Sequence, residues 1–268
     1  MGGPFHDFEL VAEFFAIHVL IFFFMYVRSK RLVTKLIFMT LLIIDLMMMF
    51  TTITRGAFIS LFVGIVYLTF LSRKDLNFVK LISLIGAFAL IIGVLEAFVT
   101  KYTAAGSLFD RLITVTFERG IIPYNRVAPW GGAVERAKEH ILIGSGPGWD
   151  FSKGITDTGM WPHNVYLFYL NITGLVGLSA FLFLLYRLIK TTMLGINSSL
   201  VTSSFAEGFM KVLHVCLVMF CIDQIKIEYL RNNKYVFFIW FFFGLIIATD
   251  NVIKMNRDSG GHPGEYSR

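Results

Sequence analysis

Long blocks of apolar sequence, most of them near the length needed to cross a bilayer, leave this chain few ways to fold. A hydrocarbon core about 30 Å thick takes roughly 20 helical residues to cross, at about 1.5 Å of rise each. Apolar blocks occupy residues 10–27, 36–53, 56–71, 81–99, 165–185, 209–222 and 236–249. In lipid every backbone N–H and C=O has to be paired within the structure, so these blocks are predicted to be helices. The alternating apolar and polar pattern of a membrane barrel is absent. The expected fold class is an all-α integral membrane protein with about seven transmembrane helices and one large extramembrane loop. Charge agrees: 16% of the 268 residues are Asp, Glu, Lys or Arg, against about a quarter in soluble domains. The block at 209–222 is short, and a re-entrant or interfacial helix is its alternative.

The blocks divide the chain into four parts. Residues 1–99 carry the first four spans, 100–162 form a long polar and turn-rich loop, and 163–250 carry the last three spans. Residues 251–268, with Gly260, Gly261 and Pro263, are expected to be a disordered cytoplasmic tail. Lys and Arg in short links mark the cytoplasmic side. Arg28, Lys30, Arg31 and Lys35 follow the first span, Arg73, Lys74 and Lys80 follow the third, and Arg187 and Lys190 begin the link after the fifth. All three links fall on one side of a seven-span zigzag, which puts the loop at 100–162 outside, together with the tight turn at Thr54 and Arg55. The net charge of +6 resides largely in these clusters, so nucleic acid is not an expected partner.

The first nine residues lack a basic stretch and carry Asp7 and Glu9, which is unlike a signal peptide. An outside N-terminus then suits the C-terminal part of a longer membrane protein, or a short head translocated unaided. Cys216 and Cys221 both fall in the sixth span, so neither a disulfide nor a metal site is indicated. Glu13, His18, Asp45 and Glu96 are ionisable residues that fall within spans. Such groups are functional candidates by default; a structural role inside the bundle is the reading preferred for them here.

Three constellations on the outer side carry chemistry. Thr54, Arg55, Gly56 and Ala57 join two spans with almost no loop. Arg55 lies near the first turn of a helix, where free N–H groups and the dipole already favour an anion, and Gly56 permits close approach of a ligand or neighbouring helix. An oxyanion or phosphate clamp and an arginine snorkelling to lipid headgroups are both open for this tetrapeptide. The second constellation is Arg126 with Pro129 and Trp130, then Ala133, Arg136 and the turn Gly144-Ser145-Gly146-Pro147-Gly148. Residues 130–143 have the spacing of an amphipathic helix ended by the glycines. The turn lacks the Gly-Lys-Ser/Thr of a nucleotide loop. The third is Trp161-Pro162-His163-Asn164 at the start of the fifth span. There the helix dipole disfavours an imidazolium and keeps His163 neutral, as a general base must be. An interfacial histidine beside an aromatic-belt tryptophan is the competing reading.

Taken in order, the three elements resemble the O-antigen ligase and polymerase superfamily. The resemblance rests on Thr54-Arg55-Gly56-Ala57, on Arg126, Trp130 and Ala133 leading into Gly144–Gly148, on His163-Asn164 with Tyr166 and Leu167, and on Gly174-Leu175-Val176-Gly177. Gly3-Pro4-Phe5 before the first span is a further point of likeness. It covers nearly the whole chain but only the C-terminal half of a typical member. The resemblance implies a membrane-embedded glycosyltransferase of the GT-C type, working without cofactor or metal at the outer face of the bacterial cytoplasmic membrane. Its donor would be a glycan on a polyprenyl diphosphate, and its acceptor a glycan, the lipid A core or a protein. By the same likeness Arg55 and Arg126 would bind the diphosphate, with Arg136 and Asn164 as further substrate-binding residues. Arg111 and Arg119 would be supporting or surface cations, and His163 would deprotonate the acceptor hydroxyl, with inversion at the anomeric carbon. Two arginines can neutralise a departing diphosphate without a cation, and histidine suits proton removal near neutral pH.

Two other classes compete. A transporter would place polar residues along several spans and break them at mid-membrane, whereas these spans are almost uniformly apolar and the informative residues gather at one face. A non-catalytic subunit would bind a lipid-linked glycan without transferring it.

Overall fold

The computed structural model describes residues 7–52, 54–72, 124–146, 162–197 and 205–258, with isolated positions between 86 and 107. Among these residues the chain is helical: α1 (Phe8–Arg28), α2 (Leu32–Thr52), α3 (Arg55–Leu71), α4 (Tyr124–Ala137), α5 (Val165–Asn197), α6 (Phe205–Asp223) and α7 (Asn233–Asp258). Five of them, α1, α2, α5, α6 and α7, are long and apolar enough to cross a membrane, while α3 is apolar but shorter. The expected span at 81–99 and most of the loop at 100–162 lie outside the described residues.

Three elements depart furthest from the sequence expectation at their ends. The fifth span was expected to end at 185, yet α5 continues to Asn197 and carries Arg187 and Lys190 on the helix. Their long stems can run along lipid while the charges reach the interface, so basic residues do not end a helix. Residues 251–258, expected in the tail, belong to α7, which runs to Asp258; the rest of the expected tail lies outside the described residues. Lys254 pairs with Asp250 one turn earlier at 2.5 Å, and no breaker occurs before Gly260. Finally, α4 starts at Tyr124 rather than 130 and ends at Ala137 rather than 143, giving way to a single 3-10 turn at Lys138–His140. It runs through Pro129, which costs it a backbone hydrogen bond without ending it.

The bundle is organised around α6, which packs against α1, α3, α5 and α7, while α2 lies mainly against α1. Leu20, Leu61, Leu213, Phe220, Ile239 and Phe242 are almost wholly enclosed at these contacts. In lipid such packing is held by close van der Waals fit and interhelical hydrogen bonds rather than by exclusion of water. His214 supplies one such link, with Nε2 at 2.9 Å from the Tyr67 hydroxyl and Nδ1 at 2.8 Å from Thr192, which joins α3, α5 and α6. His18 turns back onto its own helix, to the carbonyl of Phe14 at 3.0 Å.

The longest helix is bent back on itself. Gly174 interrupts α5 at φ +64° and ψ −164°, and Tyr169 stacks on Phe181 with ring centroids 4.4 Å apart. Residues 165–173 therefore fold against the arm that follows. Such a break frees backbone groups on both sides, and residues 141–146 take them up. Leu175 and Val176 N–H donate to the carbonyls of Ile141 and Leu142, at 2.8 and 3.1 Å. Ser145 and Gly146 N–H donate to the carbonyls of Asn171 and Ile172, at 2.8 and 2.9 Å. The two backbones come so close that a Cβ on Gly144 would stand 2.3 Å from the carbonyl carbon of Ile172, and one on Gly174 equally close to that of Leu142. The glycine turn after α4 is thus one half of an interlock whose other half is Gly174.

This predicts an order of effects. Gly144→Ala and Gly174→Ala should each lower thermal stability in detergent by well over the ~1–3 kcal/mol of backbone strain alone. Gly146→Ala, at φ +78° with open space around it, should cost only that strain. Equal losses at all three positions would contradict the interlock.

Candidate functional site

In an up-and-down bundle alternate helices start at the same end, and here the starts of α1, α3, α5 and α7 meet the end of α6. Three of these starts are sealed by their own side chains. Asp7 accepts from Glu9 and Leu10 N–H at the head of α1. Asn164 accepts from Leu167 N–H at 3.0 Å at the head of α5. Asn232 accepts from Lys234 and Tyr235 N–H, at 3.0 and 3.1 Å, at the head of α7. At α3, Thr54 makes no such cap; its hydroxyl donates instead to the carbonyls of Thr52 and Phe8, at 3.3 and 3.4 Å. Arg55 opens α3 and is half-buried. Its helix start keeps the positive end of the dipole available to an anion.

The link between α6 and α7 holds this end together. Gln224 is fully buried and spends every part of itself. Its Nε2 donates to both oxygens of the buried Glu13 on α1 at 3.2 Å, and its Oε1 accepts from Tyr229 N–H at 3.0 Å. Its backbone carbonyl accepts from Val165 N–H, the first residue of α5, at 3.0 Å. Lys226 pairs with buried Asp223 at 2.5 Å and lies across Gly56, where a Cβ would collide with its ammonium nitrogen. Gly56 therefore lets a second cation lie beside Arg55. Tyr229 is buried against Phe181 and Phe220, and that burial pushes its phenol above the ordinary value.

His163 stands at the same end, two residues ahead of α5, with a backbone φ of +46° that side chains other than glycine rarely adopt. Its Nδ1 lies 2.7 Å from Nη1 of Arg231. A guanidinium can only donate, so Nδ1 is the acceptor and the ring proton of a neutral imidazole sits on Nε2. Arg231 also pairs through Nη2 with Asp7 at 2.6 Å and Glu9 at 3.2 Å. Thr54 meets Phe8, and Arg231 meets the residues on either side of Phe8, so Arg55 and His163 flank the head of α1.

The remaining expected site residues gather on α4. Trp130 Nε1 donates to the carbonyl of Pro162 at 2.7 Å, directly before His163. Asn171 Nδ2 donates to the carbonyl of Ala133 at 3.1 Å. These contacts dock α4 on residues 162–173. An open groove of about 540 Å³ between them is lined by Trp130, Val134, Asn164, Tyr166 and Leu167. Arg136 lines a smaller polar pocket of about 220 Å³ with Glu139, His140, Ser145 and Asn171. Arg126 lies in the first turn of α4; its side chain, like Arg111 and Arg119, lies outside the described residues. Among the described residues no group of three or more His, Cys, Asp or Glu could hold a metal ion.

A family model described as O-antigen ligase matches residues 40–182, just over half of the chain. The chain belongs to the O-antigen ligase family. Membership makes it a multi-pass membrane protein of the O-antigen ligase and polymerase type, a class of membrane glycosyltransferases. No curated protein matches the chain. The match takes in Arg55, Arg126, Arg136, His163, Asn164 and both glycine motifs, but it stops before α6. Gln224, Lys226 and Arg231, and Asp7 and Glu9 on the other side, fall outside the O-antigen ligase match and carry no recognised motif. One signal for them was in the sequence. Lys226, Arg231 and Lys234 crowd a short link on the side assigned to the outside, against the rule that oriented the chain.

Gln224→Ala should remove the shared fastening, taking the amide donor from Glu13 and the acceptor from Tyr229 N–H, which costs roughly 1–3 kcal/mol for each buried group left unsatisfied. Thermal unfolding in detergent should show a loss of at least that size. Gln224→Glu should do no better, since it sets a second carboxyl against Glu13. A neutral Gln224→Ala would remove the hub from the account.

Proposed function

We propose that this end of the bundle transfers a glycan from a polyprenyl diphosphate to an acceptor hydroxyl, at the outer face of the bacterial cytoplasmic membrane. The observation that carries the reading is the gathering of four basic residues at one end of the bundle: Arg55 and Lys226 at the start of α3, which lacks a side-chain cap, and His163 with Arg231 at the neighbouring head of α1. A diphosphate linking a glycan to a lipid presents two adjacent phosphates, each with two non-bridging oxygens that share a negative charge. Arginine forks and an ammonium can meet them, and each such contact strengthens as negative charge builds on the leaving group. Arg126, one helix away on α4, is the further cation assigned to that task, and family likeness supports it. The groove between α4 and residues 164–167 would receive the acceptor, with Asn164 in its lining and Arg136 in the neighbouring polar pocket. In this reading His163 takes the proton of the acceptor hydroxyl as its oxygen bonds the anomeric carbon from the face opposite the diphosphate. The sugar–phosphate bond breaks with its electrons going to the diphosphate, which inverts the anomeric centre and uses no metal ion.

A transport reading has less support. The polar residues within the spans, such as His214 with Tyr67 and Thr192, are tied to one another rather than arranged along a path.

The two assigned roles predict different failures. Arg55→Ala should weaken binding of the lipid-linked donor as well as transfer, because a phosphate contact already exists in the ground state. Arg55→Lys should restore only part, since it keeps charge and loses the fork. His163→Ala should leave donor binding nearly unchanged and lower transfer by roughly 10²–10⁴-fold, the usual range for a general base. Donor binding and single-turnover transfer by the full-length protein in nanodiscs decide this. Equal loss of donor binding in both variants would make His163 a donor ligand.

A further inference from the structure

The contact between Arg231 and His163 sets a condition on the proposed chemistry. A base needs a lone pair, and neutral imidazole has one, on the nitrogen without the proton. In the arrangement described above that lone pair, on Nδ1, accepts from Arg231 at 2.7 Å. The other nitrogen carries the proton and can only donate. His163 so held is neutral and aligned, but it is not yet a base. It becomes one when the guanidinium leaves Nδ1.

Arg231 has somewhere else to go. Its guanidinium is divided among His163, Asp7 and Glu9, and its Nε is buried without a partner among the described residues. It sits beside the head of α1, on whose other side Thr54 touches Phe8 next to Arg55. An anion with several charged oxygens, arriving at Arg55, would offer two parallel acceptors to a fork that holds one ring nitrogen and parts of two carboxylates. Bidentate phosphate contacts are the stronger ones. His163 is also strained at φ +46°. Strain of this kind, about 1–3 kcal/mol at a non-glycine residue, persists where surroundings hold it, and here the guanidinium is one of the holds.

We propose that Arg231 is a positioning residue that couples donor binding to proton removal. This rests on the reading of the site given above. When the diphosphate binds, the guanidinium turns from Nδ1 to phosphate oxygens, and the Nδ1 lone pair is released toward the acceptor hydroxyl. Arg231 stays a cation throughout. The hydroxyl proton passes to Nδ1 as the new carbon–oxygen bond forms, the old bond's electrons leave with the diphosphate, and His163 becomes an imidazolium carrying protons on both nitrogens. The base is thus masked until there is a donor for it to act on, which suppresses idle hydrolysis of a scarce lipid-linked substrate.

The test reads the ring directly. Nitrogen NMR of the full-length protein, labelled with ¹⁵N at its histidine rings and held in nanodiscs, resolves His163 by comparison with His163→Gln. Without added lipid its Nδ1 should show the shift of a hydrogen-bonded acceptor and its Nε2 that of an N–H. Saturating undecaprenyl diphosphate, its binding followed separately with radiolabelled lipid, should move Nδ1 toward an acceptor released from the guanidinium. In Arg231→Gln the same addition should leave His163 unchanged, and Arg231→Lys should restore part of the response. If the lipid binds and the His163 resonances of the wild type stay where they were, the coupling is wrong while the glycosyl-transfer reading stands. If the lipid does not bind, the underlying reading of the site fails first, and the coupling with it.

Discussion

A membrane bundle has no water in its interior to satisfy a polar group, so each buried hydrogen bond becomes a fixed point of assembly. Gln224 is that point here. Through its amide and its carbonyl it holds Glu13 of α1, Tyr229 of the following turn and the first N–H of α5. Apolar packing along α6 brings the helices side by side, but lipid is nearly as good a neighbour as leucine, and packing alone sets their relative height only loosely. The Gln224 contacts fix that height at the end where chemistry is proposed. Once α1 and α5 are locked there, Asp7, Glu9 and His163 are within reach of Arg231, and Lys226 falls across Gly56 beside Arg55.

A second device serves the same end from outside the bundle. The break at Gly174 lets residues 165–173 fold back, and residues 141–146 pair with the groups it exposes. Together with the bond from Trp130 to Pro162 this seats α4 against the residue that precedes His163. The glycine motifs of the family therefore act on the site through the backbone. They allow two chains to interlock at distances no side chain would permit, and so hold the α4 region over the groove.

Much of this architecture was legible in the sequence because the bilayer restricts the choices. Apolar runs of near-spanning length marked α1, α2, α3, α5, α6 and α7, and the short one at 209–222 turned out to be the core of the most enclosed of the described spanning helices. Arg55 and His163 were legible as candidates because each stands at a helix start, where local sequence decides the environment. What could not be read was anything set by distant contact. Nothing local marks Gln224 as a hub, since its partners lie up to 211 residues away. Nor could the sequence show that Asn164, expected as a substrate ligand, also caps α5 through its Oδ1, a use available to any Asn in that position. The extension of α5 past Arg187 was missed because basic residues were taken as the end of a helix rather than of its buried length.

The central claim is that the polyprenyl diphosphate binds where the starts of α1, α3 and α5 meet the α6–α7 link. Photocrosslinking tests it most directly, with a diazirine placed on the first isoprene unit of undecaprenyl diphosphate, incubation with the full-length protein in nanodiscs, and mapping of adducts by mass spectrometry. The account predicts adducts within residues 54–60, 162–167 and 224–231, suppressed by unlabelled lipid and by Arg55→Ala. Adducts concentrated at the opposite end, around Arg28 to Lys35, with Arg55→Ala labelled as strongly as the wild type, would contradict it.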